Sequence, residues 1–348
     1  MKEKIKKYKI PLILVSFIAL LFIGYFPLDY YIESPGNAVR LNDLVEVDHE
    51  YDQNDGSYML TTVRIAKATP LTYFFQYLPF REGIKSTDLF DEDQSEDEYD
   101  IEQQHAMSSS INSAIQVAFT AADEPYEVDY HGIYVLSVLK ESQLYQQIKA
   151  GDTITSIDDQ PFESAQEFTA YISSKEIGDK ISIAYENAAG NNEKLTTELI
   201  DLGEGRAGIG ITLIDDYTVT PSKPVSIATD RIGGPSAGFM FTLAIYTQLT
   251  NEDLRNGREI AGTGTMSPDG TVGRIGGIDK KVVAADKEGA EIFFAPDDEI
   301  TPEMKEIYPD IKTNYEEAKE AAEKCQTKMK IVPIRHFQDA LDYLKEHS

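Results

Sequence analysis

Residues 231–238 have the sequence Arg231-Ile232-Gly233-Gly234-Pro235-Ser236-Ala237-Gly238, and a long apolar run from Phe239 to Leu249 follows. The two glycines tolerate positive φ, and proline is favoured at the first position of a helix. The stretch therefore predicts a tight turn that opens a buried helix. Ser236 would then lie beside unpaired backbone N–H groups and the positive end of the helix dipole. This environment suits a nucleophile whose product is an oxyanion, but a glycine turn with a serine cap would have the same sequence.

The composition limits the classes of protein that remain open. The chain has 348 residues, which suits about two domains of ~150 residues each. Its formal net charge of −28 at pH 7 argues against nucleic acid as a partner, because nucleic-acid-binding surfaces are basic. Cys325 is the only cysteine and the five histidines show no ligand spacing, so we predict no metal site and no cofactor. The chain has no Gly-x-x-x-x-Gly-Lys-Ser/Thr motif, which argues against a P-loop ATPase.

The N-terminus combines a basic segment with an apolar one. Residues 1–9 contain five lysines, and the uncharged run Ile10–Leu28 matches the roughly 20 residues of a membrane-spanning helix. No small-x-small cleavage site follows the run, so we favour an uncleaved N-terminal anchor over a signal peptide. The lysines predict a single-pass protein of the cell membrane, with residues 1–9 in the cytoplasm and the rest of the chain extracellular.

The next hundred residues show mixed patterns. The β-branched run Tyr58–Ile65 predicts a strand. The aromatic run Leu71–Phe80 favours a packed helix over a patch that rests on a bilayer. The acidic run Asp88–Asp100 predicts a solvated loop. Apolar residues then recur at helical spacing, which predicts a helix over about residues 101–121.

Short strands and one amphipathic helix follow from Tyr126 to Leu202, and this segment resembles a PDZ domain. Gly132-Ile133-Tyr134-Val135 stands where that family has its carboxylate-binding loop, and Ala150-Gly151-Asp152-Thr153-Ile154 matches the family's most regular motif. The resemblance implies that a peptide binds there by adding a strand beside Ile133. Glu141-Ser142-Gln143 departs from the Ser-Pro-Ala of many relatives, so the turn at that point is uncertain. A small structural domain with a blocked groove is the alternative.

The last third of the chain alternates strand and helix patterns. Strands are predicted at residues 218–220, 224–227, 260–265, 290–296 and 331–334. A hairpin turn is predicted at 269–272, and helices at 278–285 and 337–344.

A serine nucleophile needs a base, and a lysine can serve where it is neutral. Free lysine has a pKa of ~10.4, whereas base chemistry at neutral pH wants a pKa of ~7–8, so such a lysine must be desolvated. On a helix that starts near Ile278, Lys281 shares the apolar face with Val282 and Ala285, whereas Lys280 lies on a more polar side. The pattern favours Lys281 as the base, although most lysines beside apolar residues extend their amines to water.

Three motifs resemble the active site of Lon-type serine proteases. Gly234-Pro235-Ser236-Ala237-Gly238 is similar to their nucleophile motif, and Gly276-Gly277-Ile278-Asp279-Lys280-Lys281 to their lysine motif. Thr263-Gly264 matches a threonine-glycine whose hydroxyl orients the lysine. The resemblance implies a Ser236–Lys281 catalytic dyad supported by Thr263, Gly234, Pro235 and Ala237. Gly233 departs from the aspartate of Lon proteases proper, which leaves the local charge around Ser236 uncertain.

The predicted anchor, PDZ segment and protease motifs together resemble the membrane-bound PDZ-containing Lon-like proteases of Gram-positive bacteria. The resemblance implies an α+β fold in which a PDZ domain, residues 126–203, interrupts a Lon-like domain formed by residues 40–125 and 204–348. It implies a serine endopeptidase that cleaves extracytoplasmic peptides or unfolded proteins, with the PDZ domain recruiting them. Because no nucleotide loop is present, cleavage would need no ATP. Assembly into a homo-oligomer is left open.

Two rival functions compete with this interpretation. Gly-x-Ser-x-Gly is also the nucleophile elbow of α/β-hydrolases, for which His336 would be the base, although Pro235 is unusual in an elbow. The other rival is a non-enzymatic PDZ membrane adaptor with an inert protease half, against which the retained serine, lysine and threonine argue.

Overall fold

The structure is a computed structural model that describes residues 2–90, 94–203, 205–229 and 232–347. Its α-helices, in chain order, are α1 (Lys2–Tyr25), α2 (Ser86–Leu89), α3 (Glu96–Ala121), α4 (Ala165–Ser173), α5 (Gly238–Thr250), α6 (Ile278–Lys287), α7 (Pro302–Ile307), α8 (Asn314–Cys325) and α9 (Phe337–Glu346). Two short 3-10 helices cover Thr72–Tyr77 and Pro235–Ala237.

The strands belong to one large sheet, one medium sheet and three small ribbons. In chain order they are β1 (Tyr30–Arg40), β2 (Val45–Val47), β3 (Glu50–Tyr51), β4 (Ser57–Lys67), β5 (Glu82–Lys85), β6 (Tyr126–Val138), β7 (Thr153–Ile157), β8 (Lys180–Glu186), β9 (Asn192–Glu198), β10 (Ile200–Asp201), β11 (Ala207–Gly208), β12 (Ile211–Pro221), β13 (Val225–Ile227), β14 (Glu259–Gly262), β15 (Thr265–Met266), β16 (Val272–Gly273), β17 (Ile292–Pro296) and β18 (Lys330–Ile334).

The N-terminal helix corrects the predicted membrane anchor. Within the described residues, none of the helices combines the length and the apolar character that crossing a bilayer requires. Helix α1 stops at Tyr25, before the end of the predicted span, and the N–H of Leu28 donates to the carbonyl of Ala68 at 2.8 Å. The last part of the apolar run is therefore bonded to the folded protein instead of extending the helix. The prediction of a transmembrane helix at Ile10–Leu28 is wrong, and so is the prediction of a single-pass membrane localisation that rested on it.

The large sheet has the strand order β18-β17-β14-β4-β1-β5. Strand β14 runs parallel to β4 and β17, and β17 runs parallel to β18, whereas β1 is antiparallel to β4 and β5. Parallel neighbours require crossover connections, and helices α6 and α8 supply them between β14, β17 and β18. The predicted α+β class is thus corrected to a mixed α/β fold. The sheet joins strands that come before and after residues 126–221 of the chain.

Both faces of the large sheet are buried, and this arrangement positions the site. Tyr58 and Leu60 of β4 pack into one core with α3, α5 and α9, whereas Met59 points to a second core with α6 and α8. Phe294 and Phe293 of β17 divide in the same way, as side chains alternate along a strand. Strands covered on both faces need the continuous apolar runs seen in this sequence. Helices α5 and α6 consequently lie on opposite faces of one sheet.

The medium sheet has the order β12-β6-β7-β8-β9 and a core of its own, to which Ile133, Val135 and Phe168 belong. Strands β6 and β12 pair along almost their whole length, from Ile211 opposite Val138 to Pro221 opposite Tyr126. They form the two-stranded stem by which the chain enters and leaves this sheet.

Two predicted elements between residues 70 and 121 differ in the structure. The aromatic run Leu71–Phe80 forms only the short 3-10 helix Thr72–Tyr77, which buries none of its residues. Helix α3 starts at Glu96, within the predicted acidic loop, because Ser95 and Glu98 form a capping box that satisfies the first N–H groups. Residues 91–93 of that predicted loop lie outside the described residues.

Candidate active site

The turn before Ser236 depends on a glycine. Gly234 has φ +83°, a value that side-chain-bearing residues rarely adopt, and Pro235 follows at the first position of the 3-10 helix. The N–H of Gly234 donates to the carbonyl of Gln103 at 2.9 Å. Ser236 and the buried Ala237 complete that turn, which continues directly into α5. Ser236 therefore lies at a helix N-terminus, while Asp230 and Arg231 just upstream lie outside the described residues.

Helix α3 holds this turn a second time. The hydroxyl of Ser110 donates to the carbonyl of Pro235 at 2.9 Å. A Cβ atom on Gly238 would lie only 2.5 Å from the Ser110 oxygen, so a side chain at Gly238 would push α3 away. Contacts from Gln103 and Ser110, two turns apart on α3, thus fix the backbone on both sides of Ser236.

Lys281 reaches Ser236 from α6. Its Nζ lies 2.6 Å from the Oγ of Ser236 and 3.0 Å from the Oγ1 of Thr263. Only 2% of the residue is exposed. Burial disfavours the charged amine and lowers the pKa of Lys281 from 10.5 to about 7, and the negative charge of Glu33 opposes that shift. A buried lysine with this pKa is substantially neutral near pH 7.

Thr263 links Lys281 to Ser236. It directly follows β14 and is fully buried. Its hydroxyl accepts the N–H of Lys281 and donates to the carbonyl of Ser236 at 3.0 Å. The N–H of Gly264 donates to the same carbonyl at 3.0 Å. Because one amine hydrogen is committed to Thr263, the nitrogen lone pair can be directed at the Ser236 hydroxyl.

Lys280 is as inaccessible as its neighbour but has different partners. Its Nζ lies 2.9 Å from a carboxylate oxygen of Glu33 and 3.2 Å from those of Glu82 and Asp279. These carboxylates raise the pKa of Lys280 and outweigh the opposing effect of burial. Lys280 was predicted on a more polar side of α6, and its partners are carboxylates, but the residue is only 4% exposed.

His336, the base that an α/β-hydrolase would require, lies elsewhere. It is exposed at the N-terminus of α9, where its backbone N–H donates to the carboxylate of Asp339 at 2.9 Å. The amine that contacts Ser236 is that of Lys281. In the part of the chain that the structure describes, no group of three or more histidine, cysteine, aspartate or glutamate side chains is arranged to hold a metal ion.

The predicted peptide-binding segment is occupied on both edges by the chain itself. Ile133 pairs with Asp215 of β12 on one side and with Ile154 of β7 on the other. The side chains of Ile133 and Val135 are buried in the core of this sheet. Gly132 pairs with β12 as well, and the ring of Tyr134 lies against that of His105 on α3. The edge on which a peptide strand was expected is thus filled by residues 211–215.

The backbone N–H at the start of α4 strengthens this closure. The N–H of Ala165 and the hydroxyl of Tyr130 both donate to the carboxylate of Asp215. Asp215 thereby ties β12 to α4 as well as to β6.

Sequence reasoning missed the roles of Ser110, Gln103 and Glu33. Ser110 carried a signal: it is a serine three positions after Met107 and four before Ala114, on the buried side of α3. Gln103 contributes a backbone carbonyl, which no side-chain pattern reveals. Glu33 carried no local signal, because its partners lie on α6 and β5 and are brought to it only by the tertiary fold.

Two family models match the chain. Residues 96–199 match the PDZ domain, and residues 227–344 match the Lon protease (S16) C-terminal proteolytic domain. The second match contains Ser236, Thr263 and Lys281, and the first contains most of the medium sheet together with α3.

Curated Lon proteases match shorter stretches of the chain. A Lon protease from Fusobacterium nucleatum is 40% identical over 78 residues, which are 21% of this chain and 10% of that protein. Lon protease 1 from Myxococcus xanthus is 28% identical over 137 residues, 39% of this chain and 14% of that protein. The matched region thus spans about a tenth of the length of these curated relatives.

Solved structures of PDZ domains also match about a quarter of the chain. The PDZ domain of the SdrC-like protein from Listeria monocytogenes is 42% identical and covers 25% of this chain and 92% of that domain, with a TM-score of 0.24. The corresponding domain from Listeria innocua is 44% identical and covers 24% of this chain and 92% of that domain, with a TM-score of 0.22.

A Lon-type proteolytic domain and a PDZ domain therefore occur in one chain, as the sequence motifs predicted. The two family-model matches and the Lon protease relatives support a PDZ-containing Lon-like protease.

Proposed function

We propose that this chain is a serine endopeptidase in which Lys281 is the general base for Ser236. The observation that carries the proposal is the 2.6 Å contact between Nζ of the buried Lys281 and Oγ of Ser236. A lysine outside such a site would be protonated at neutral pH and could not accept the serine proton. Burial supplies the missing preference for the neutral amine.

The reaction follows from this geometry. Neutral Lys281 accepts the proton of Ser236 while Oγ attacks the carbonyl carbon of a peptide bond. N–H groups of the helix N-terminus near Ser236 stabilise the resulting oxyanion. Lys281, now an ammonium, gives its proton to the leaving amine as the C–N bond breaks. Water then attacks the acyl-enzyme, with Lys281 as base again, and releases the acid and the free serine.

Thr263 keeps the base aligned through this cycle. It contacts the amine of Lys281 and the carbonyl of Ser236 at the same time, so it holds donor and acceptor in one geometry. It makes and breaks no bond itself. We therefore assign it a positioning role in which its hydroxyl restrains the rotation of the amine between proton transfers.

Peptides and unfolded proteins are the substrates that we propose, and cleavage would not require ATP. The chain has no P-loop motif, and its residues 227–344 match the C-terminal proteolytic domain of Lon proteases. An enzyme without an unfolding motor can act only on segments that already reach the active site in extended form. Short or unstructured polypeptides meet that requirement.

For the PDZ domain, the observed pairing favours the structural alternative over peptide capture at Ile133. Strands β12 and β7 already use both edges of β6 at this residue. Recruitment of a peptide strand to the predicted groove would require residues 211–215 to leave first. Because β12 continues into the stem, its release would also loosen the connection to the protease half.

A fluorophosphonate activity probe tests the central proposal. We expect the wild-type protein to be labelled at Ser236 and to cleave an unstructured fluorogenic peptide without ATP. Ser236→Ala and Lys281→Ala should lose both properties while keeping a cooperative thermal transition, and His336→Ala should keep both. Labelling that survives Lys281→Ala but fails in His336→Ala would contradict the proposal and favour the hydrolase alternative.

A further inference from the structure

Lys280 and Lys281, two consecutive residues on α6, lie in opposite electrostatic environments. Lys281 faces Ser236 and Thr263 and meets no carboxylate at hydrogen-bonding distance among the described residues. Lys280 ends in a cleft against Glu33 of β1, with Nζ 2.9 Å from the carboxylate, and both of these side chains are nearly inaccessible. The two amines thus extend from the same helix turn into different surroundings.

The Glu33 carboxylate also lies close to the backbone that carries both lysines. A Cβ atom on Gly277, the residue that caps α6, would lie 2.9 Å from an oxygen of Glu33. Glu33 therefore sits against the N-terminus of this helix, where the dipole favours a negative charge. Its charge acts on Lys281 as well and raises the pKa of that amine, against the effect of burial.

Other charged groups surround the cleft. Strand β5 contributes Glu82 and α6 itself contributes Asp279, both beside Lys280. From α8, which packs on α6, come Glu317, Glu320 and Lys324. Strand β4 presents the apolar Val63 to Gly277. Among these groups, Glu33 is the buried carboxylate that acts on Lys281, and Lys280 is the cation paired with it.

We propose that Lys280 is a positioning residue that neutralises Glu33, so that the Glu33 carboxylate does not hold the base Lys281 in its protonated form. The inference rests on the proposed function, because it concerns the lysine that accepts the serine proton. In a site of low dielectric, a nearby unpaired carboxylate would stabilise an ammonium strongly. An ion pair presents a much weaker field to a third group than a lone carboxylate does. Lys280 thus allows Glu33 to support the start of α6 without disabling Lys281.

The sign of the effect gives two opposite predictions. Lys280→Met leaves Glu33 uncompensated, so the acid limb of the kcat/KM profile should move to higher pH. A nearby carboxylate favours the charged amine, so we expect a shift of about one unit, which lowers the neutral fraction of a group with a pKa of about 7, and with it kcat/KM, roughly fivefold at pH 7. Glu33→Gln removes the carboxylate while Lys280 keeps Glu82 and Asp279, so the limb should move to lower pH.

The experiment measures kcat/KM for an unstructured fluorogenic peptide from pH 5.5 to 9.5. It compares the wild type with Lys280→Met, Glu33→Gln and the double variant, and uses Lys280→Arg as the charge-conserving control. We expect Lys280→Met to recover towards wild-type activity at high pH, and the double variant to titrate close to the wild type. Lys280→Arg should have the wild-type limb.

A loss in Lys280→Met that is the same at every pH would overturn the inference, since a purely structural role predicts that result. If Lys280→Met does not fold, Glu33→Gln decides, and an unmoved limb in that variant overturns the inference as well. Failure of the proposed function is distinguishable, because the wild type would then be inactive or Ser236→Ala would be active. An active, Ser236-dependent wild type with unmoved limbs in both variants refutes only the role of Lys280.

Discussion

The hydroxyl of Ser110 donates to the carbonyl of Pro235, the residue immediately before Ser236, at a distance of 2.9 Å. Ser110 lies on α3, which comes before the strands of the medium sheet in the chain, whereas Pro235 comes after them. The turn at Ser236 therefore depends on a helix from the other side of the medium sheet in the sequence. The same helix binds the stem, because the Asn112 amide donates to the carbonyl of Tyr217 on β12 at 2.8 Å.

We predict that Ser110→Ala lowers kcat about fivefold and leaves KM nearly unchanged. A lost hydrogen bond of about 1 kcal/mol would let the turn move without removing any group that binds substrate. Steady-state kinetics on the fluorogenic peptide would measure both constants. Ser108→Ala is the matched control, since Ser108 is an exposed serine on the same helix and should have wild-type kinetics. Equal losses in the two variants would show that the contact with Pro235 is not the cause.

Thr263→Val should cause a larger loss, of about 10- to 100-fold in kcat. Valine has nearly the same shape but can neither accept the N–H of Lys281 nor donate to the carbonyl of Ser236. The base remains in place and keeps some activity, so the loss should be smaller than in Lys281→Ala. Thr263→Ser restores the hydroxyl and should recover most of the rate. A Thr263→Val variant as inactive as Lys281→Ala would imply that Thr263 takes part in the chemistry itself.

The dependence of the wild-type rate on pH follows from the pKa of Lys281. Because the amine must be neutral to act as base and its pKa is about 7, kcat/KM should rise with pH through an acid limb near pH 7. Well above that limb the rate should be level with respect to this group. A profile from pH 5.5 to 9.5 measures the limb. An acid limb near the ordinary lysine pKa of 10.5 would show that the amine is not desolvated in the working enzyme.

Lys281 should lower the stability of the fold, although the proposed activity depends on it. The folded-state pKa of Lys281 lies below its ordinary value of 10.5, so folding is penalised wherever the unfolded chain holds the proton. This penalty is complete below about pH 7 and disappears as pH rises towards 10.5. Lys281→Met should therefore raise the Tm by a few degrees at pH 6, with a smaller gain at pH 9.5. A lower Tm at pH 6 would mean that the contacts of the amine outweigh its desolvation.

The sequence predicted the contacts that depend on local periodicity. The spacing of Ile278, Lys281, Val282 and Ala285 placed Lys281 on a buried helix face, and the structure shows its amine against Ser236. Pairings between distant segments were not predictable in this way. Glu33 meets Lys280 only after β1 and α6 pack together, and an acidic residue in a strand shows no local sign of such a partner.

Local sequence also left out long-range pairings at the N-terminal run and at the PDZ motif. Hydropathy predicted a span up to Leu28, but a hydrogen bond to Ala68 draws that residue out of the helix. The PDZ motif predicted an open edge at Ile133, but the motif does not contain the strand that pairs with it. That strand, β12, was predicted only over residues 218–220, whereas the structure extends it from Ile211 to Pro221.

The last prediction concerns the edge that β12 covers. If residues 211–215 are a stable part of the sheet, their backbone amides should be protected from hydrogen exchange as strongly as those of β8 in the same sheet. A library of fluorescent peptides with free C-termini should then bind weakly to the wild type.

Asp215→Ala removes the acceptor for Ala165 and Tyr130, so it should loosen β12, raise exchange at residues 211–215 and increase peptide binding. Thr212→Ala is the control, because Thr212 lies on β12 like Asp215 but its hydroxyl contacts Ser137 of β6. This variant should leave exchange at Asp215 unchanged. Tight peptide binding to the wild type with no rise in exchange at residues 211–215 would place the peptide elsewhere on the domain and rule out competition with β12.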